Sequence, residues 1–183
     1  EQVTFSKTVG ESDIYMFAGI TGDLSGNHVN EQYMAKSTFG HRIAHGSLLV
    51  GFMSTTSTMM IARCVEKGIN ETPVSLGYDR IRFIKPVYIN DTVTVTYTIP
   101  EVDTKQRRSV SNIEVVNQTG DTVAVAQHIV VFVRFARLVE PGGPFGGHRV
   151  TVDMPDGAEA VVGFIQLPAQ HVVIGPPVIF DPP

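Results

Sequence analysis

Residues 46–62 read "GSLLVGFMSTTSTMMIA", a run with no charged side chain between His45 and Arg63. A bilayer-spanning helix needs about 20 predominantly apolar residues. This run is shorter and carries six Ser or Thr. It therefore reads as a helix buried inside a folded domain, from Ser47 to about Lys67, stopped by Gly68. A helix apolar on nearly all sides has to be hidden by something, and the next part of the chain supplies the cover. Beyond Pro73 come four β-rich runs, "VSLGYDRIRFIKPV", "DTVTVTYTI", "RSVSNIEVVN" and "DTVAVAQHIVVFVRF". The second alternates Val and Thr, the pattern of a half-exposed strand, and "INDT", "VDTKQR" and "NQTGDT" supply turns between the runs.

Ahead of the long helix, "VTFSKTV" predicts a strand over residues 3–9. Ser12 reads as the N-cap of a short helix ending near Gly19 to Gly22, with Asp13 in its first turn. Residues 23–29 read as loop, and Asn30 caps a second short helix. The order is one strand, helical segments and a four-strand meander. It predicts an α+β architecture, an antiparallel sheet curved around a single helix. Residues 1–138 are expected to form this domain. Residues 139–183 open with the break "EPGGPFGGH" and end in "IGPPVIFDPP", where proline excludes a central strand. They read as an extension of unknown role, with "AVVGFIQL" and "HVVIG" as short strand candidates.

With 183 residues, 43% of them apolar, the chain is long enough for one domain with a real core. The net charge of −4 argues against a nucleic-acid partner held on a basic face. Arg149 stands against Glu140, Asp153, Asp156, Glu159 and Asp181, so the whole imbalance lies in the tail. The single cysteine, Cys64, excludes an intrachain disulfide, and no Cys/His cluster has zinc spacing. No leader or address signal is visible, and the expectation is a cytoplasmic protein with no membrane partner.

The chemistry-bearing residues gather in two places. "FAGITGDLSGNHVN" (17–30) sets Asp23 and His28 in a stretch too polar for a core, and "GHRIAHGSLL" (40–49) leads into the long helix. A carboxylate and an imidazole brought together can hold a water, partly deprotonate it and pass its proton on. Asp23 and His28 could hold one water between them. Gly46, opening the helix, offers a free backbone amide, and the missing side chain lets a ligand approach that backbone closely.

Phe17, Ala18, Thr21, Asp23 and His28, then Ile43-Ala44-His45-Gly46, then "RFIKPVYINDT" with Arg82, Phe83, Pro86, Val87 and Asp91, resemble the MaoC-like (R)-specific enoyl-CoA hydratases. The resemblance covers roughly residues 5–135. It departs at Ser25 and Gly26, where the family has Asn and Pro, at Asn90, where it has Gly, and at Ser47, often apolar in the family. It implies a hot-dog fold paired into dimers or larger assemblies. It also implies reversible hydration of a trans-2-enoyl-CoA to an (R)-3-hydroxyacyl-CoA, with no metal or cofactor beyond the CoA of the substrate. Asp23, His28 and Gly46 are the expected catalytic groups. Asn27, His45, Ser47, Arg82 and Lys85 are the expected substrate contacts.

Each of these residues also has a plainer reading. His45 is more readily read as a structural residue bonding loop carbonyls than as a direct participant. Arg80, Arg82 and Lys85 either meet CoA phosphates or are outward strand charges. Asn27 and Ser25 either orient the pair or close a turn. Met59 and Met60 read as core filling, and His41 and His128 as solvent or sheet-face residues. A hot-dog thioesterase and a non-catalytic acyl-CoA-binding dimer remain the alternatives to the hydratase.

Overall fold

The computed structural model describes residues 1–69, 71–135, 148–153 and 159–165. In chain order the elements are β1 (Gln2–Thr8), α1 (Glu11–Thr21), α2 (Gly26–Val29), α3 (Glu31–Met34), α4 (Gly46–Glu66), β2 (Thr72–Phe83), β3 (Thr92–Thr98), β4 (Val102–Asp103), β5 (Arg108–Asn117), β6 (Thr122–Phe135), β7 (His148–Asp153) and β8 (Glu159–Ile165). They fall into two compact units. The first comprises residues 1–69, 75–102 and 109–130, and the second the described residues among 71–74, 103–108 and 131–165.

In the first unit the strands run in the order β1–β3–β5–β6, with β2 on β6. Strands β1, β3 and β5 are antiparallel, with Phe5 opposite Val95 and Val95 opposite Val115. The Val/Thr alternation of β3 has a direct physical reading. Val93, Val95 and Tyr97 are buried, while the threonines form an outward hydroxyl ladder, Thr8 to Thr92 at 2.7 Å and Ser6 to Thr94 at 2.8 Å. The inner face packs on Leu49, Phe52, Met53 and Met60 of α4. Full burial of each such side chain is worth about 1.5–3 kcal/mol.

The long helix differs from its expected form in one respect. It is not apolar all round. Ser47, Gly51, Ser54, Thr55 and Thr58 make an exposed face of small residues, so the sheet covers one side only. The hydroxyls are satisfied along the helix, Thr56 donating to the Phe52 carbonyl at 2.8 Å and Thr55 to Gly51 at 3.2 Å. By length and composition α4 could also cross a membrane, but its apolar face is spent on the sheet.

Two short-range expectations are corrected. The N-cap of α1 is Gly10 rather than Ser12, and Asp13 reaches back to accept from the Gly10 amide at 2.8 Å while paired with Lys7. Residues 26–29 form a helical turn rather than loop. Asn30 caps α3 as expected, accepting from the Tyr33 amide at 3.0 Å.

In the second unit β7 and β8 are antiparallel, with a bulge between Val150 and Thr151, and the end of β6 pairs with β7 through Arg134 and Phe135. Strand β8 overlaps the expected "AVVGFIQL" strand, whereas β7 was not anticipated. The "HVVIG" segment and the boundary at 138/139 lie outside the described residues.

His128 is not on a solvent face. It is 1% exposed, stacked on Tyr78 at 4.3 Å, and hydrogen-bonded through Nε2 to Ser75 (2.8 Å) and through Nδ1 to Tyr97 (2.9 Å). Burial holds its pKa down at about 4. Between about pH 6.5 and pH 4 the unfolded chain therefore takes up a proton that the folded chain refuses. Stability falls as pH drops through that window, by on the order of 3 kcal/mol, and is unaffected above it. Urea unfolding from pH 7 to 4 is expected to show this loss in the wild type and a shallower one in His128→Gln. Equal slopes would contradict it.

Candidate active site

The loop that carries Asp23 is set up by the end of α1. Gly22 takes a left-handed conformation (φ 78°), and its amide bonds back to the Ala18 carbonyl. Asp23 emerges exposed, its carboxylate accepting one long bond from the Ser25 amide at 3.3 Å. His28 follows on α2, half-buried. The third strand of the site is the extended segment Arg42–His45. It is fixed on both sides, Ile43 bridging to Tyr88 and the Ala44 amide donating to the Val87 carbonyl at 2.8 Å. Arg42 anchors its start, donating to Glu31, Tyr15 and Glu11 and thereby joining α1 to α3.

This segment and the loop are cross-tied. His28 Nδ1 lies 2.7 Å from the Ile43 carbonyl, and His45 Nε2 lies 3.0 Å from the Asp23 carbonyl. A carbonyl only accepts, so in each ring that nitrogen carries a hydrogen, and in the neutral ring the other nitrogen is the acceptor. The neutral His28 ring thus presents Nε2 as an acceptor. His45 is 2% exposed, and its bare Nδ1 is buried with no partner. Leaving such an atom unpaired costs roughly 1–3 kcal/mol. The two imidazoles stack with centroids 3.7 Å apart, and the Phe17 ring meets His45 tilted at 4.8 Å.

Side-chain atoms of Asp23, His28 and His45 lie within 4.8 Å of one another. One carboxylate and two imidazoles is a donor set that transition metals use. The ring geometry argues against it, however. Two imidazoles on one tetrahedral metal have centroids about 5 Å apart with converging lone pairs. Stacked rings at 3.7 Å point theirs side by side.

Gly46 is the first residue of α4, and its amide has no acceptor within the helix. The absence of a side chain has a cause that the sequence did not show. A Cβ at this position would sit 2.6 Å from the Phe83 ring, which rests against the start of the helix. Of the other expected contacts, Asn27 lends its backbone carbonyl to the Ile43 amide (3.1 Å), and Ser47 is exposed in the first turn of α4. Arg82 folds onto the Ile81 carbonyl, and Lys85 pairs with Asp121 at 2.6 Å. Neither enters the contacts that join Asp23, His28 and His45. Arg42 and Phe83 were the residues not singled out for the site. Arg42 left a trace only as a basic residue inside the His-containing segment, and Phe83 as one residue of the strand motif, with no role assigned to it.

The MaoC like domain family matches residues 1–121. The chain belongs to this family. Among relatives of this MaoC-like chain, the (R)-specific enoyl-CoA hydratase of Rhodospirillum rubrum is 37% identical over 99 residues, 54% of this chain and 63% of that protein. The 3-hydroxybutyryl-CoA dehydratase of Methylorubrum extorquens is 32% identical over 103 residues, 56% of this chain and 60% of that one. The matches thus span less than two thirds of these curated relatives' own lengths. The fold is that of a solved hot-dog structure described as an (R)-hydratase from A. caviae involved in PHA biosynthesis. Its TM-score is 0.63 at 20% identity, covering 72% of this chain and 93% of that one.

Gly46→Ala tests the local packing. It is expected to be less favourable in the wild type, where the half-exposed Phe83 ring must swing aside, than in a Phe83→Ala background, where alanine's helix preference of up to about 1 kcal/mol acts alone. A double-mutant cycle read by denaturant unfolding measures this, and simple additivity would contradict it.

Proposed function

We propose that this chain catalyses the reversible hydration of a trans-2-enoyl-CoA thioester to the (R)-3-hydroxyacyl thioester. The observation that carries the reading is the approach of the Asp23 and His28 side chains, with His28 Nδ1 engaged by the Ile43 carbonyl and Nε2 left without a protein partner among the described contacts. One water held by both can lose a proton to the pair as its oxygen bonds to the β-carbon. The pair then returns a proton to the α-carbon, so hydroxyl and hydrogen both derive from that water and no redox agent or metal is needed. The two groups share one proton inventory and act as a coupled unit. Negative charge that builds on the thioester oxygen is met by the Gly46 amide, reinforced by the dipole of α4. The (R) configuration and the CoA carrier are read from the names of the relatives, and the expected CoA contacts of Arg82 and Lys85 belong to this proposal.

The working form is proposed to be a dimer. Strand β2 pairs only with β6 among the described residues, leaving its other side open. Met16, Ile20 and Leu24 are exposed as well. A second copy would cover such a surface.

A general acid–base group contributes about 10²–10⁴ in rate. Asp23→Asn and His28→Ala are each expected to lose hydration by that factor while remaining folded, measured as disappearance of the conjugated enoyl absorbance across a panel of graded chain length. Wild-type rates in either variant would overturn the assignment. Release of free thiol from saturated acyl-CoA by the wild type would place water at the carbonyl carbon and favour the thioesterase.

A further inference from the structure

We infer that His45 is a positioning residue that holds both members of the Asp23/His28 pair, rather than a substrate contact. The inference rests on the hydratase reading for its kinetic consequence but on geometry alone for its assignment. His45 is the one side chain that touches both halves of the pair among the described contacts. Its Nε2–H donates to the carbonyl of Asp23 itself, and its ring lies flat on the His28 ring. It is buried under Phe17 and out of a ligand's reach.

The buried, unpartnered Nδ1 is the telling atom. A phenyl ring would stack on His28 and under Phe17 equally well and would bury no orphan nitrogen. What the imidazole supplies, and phenyl cannot, is the N–H aimed at Asp23. That bond matters because little else holds Asp23. Its amide meets Thr21 Oγ1 at 3.3 Å, its carboxylate meets the Ser25 amide at 3.3 Å, and its side chain is exposed. On the other side, His28 is held in its plane by the Ile43 carbonyl and held against tilting by His45. His45 is also the residue before α4, so the same side chain ties the pair to the helix start that presents the Gly46 amide.

The test has a spectroscopic and a kinetic arm, both on the full chain. Long-range proton–nitrogen spectra of labelled wild type are expected to show His45 protonated on Nε2 and His28 on Nδ1. The reverse tautomer at His45 would overturn the assignment whether or not the protein turns over any enoyl-CoA. In the kinetic arm, His45→Phe keeps the stacking ring without the donor and is expected to lower kcat about 10²-fold, with KM within about twofold. His45→Gln restores a donor near the Nε2 position and is expected to recover about tenfold of that loss. An unchanged kcat in His45→Phe, or a raised KM with kcat intact, would return His45 to the surroundings or to the substrate. If His45→Phe fails to fold, the wild-type tautomers and the kcat of His45→Gln decide. If the wild type hydrates nothing, the hydratase reading fails and the tautomers alone judge His45.

Discussion

Two hydrogen bonds from imidazole rings to main-chain carbonyls hold the site together. Asp23 and His28 sit on a short, polar connection between α1 and α3 that has no core of its own. The segment 42–45 is fixed by Arg42 at one end and by Val87 and Tyr88 along its length. Exchange of bonds between that segment and the connection, His28 to Ile43 and His45 to Asp23, turns a loose stretch into a defined one. The same bonds choose the tautomer of each neutral ring.

The sheet and α4 are the platform for this arrangement. Strands β3 and β5 bury every second side chain against α4, which fixes where the helix begins and hence where the Gly46 amide points. Phe83, at the end of β2, closes against that first turn. A Cβ at 46 would meet that ring, which occupies the side-chain side of Gly46 and not its amide.

The elements with strong periodicity were legible before any coordinates. The Val/Thr alternation of 92–98 and the uncharged run of 46–62 each led to the element found. Short features were less so. Gly10 displaced Ser12 as cap because Asp13 can reach back to the amide of residue 10, a choice that turns on one rotamer. The small-residue face of α4 was miscast as buried because Ser and Thr count as neither clearly apolar nor charged. At the site, Asp23 and His28 were recognisable by spacing, but spacing says nothing about main-chain acceptors. The bonds to the Ile43 and Asp23 carbonyls, and the burial of His45 between Phe17 and His28, are tertiary facts. The same holds for His128, whose network draws on β2, β3 and β6 at once.

The central claim is that one water, held jointly by Asp23 and His28, supplies both atoms added to the double bond. Stereochemistry tests it most directly. Hydration of a trans-2-enoyl-CoA in deuterium oxide, with the product analysed by proton NMR, should place deuterium at the α-carbon on the same face as the hydroxyl at the β-carbon. Delivery to opposite faces, or an equal mixture, would contradict a single water gripped by this pair.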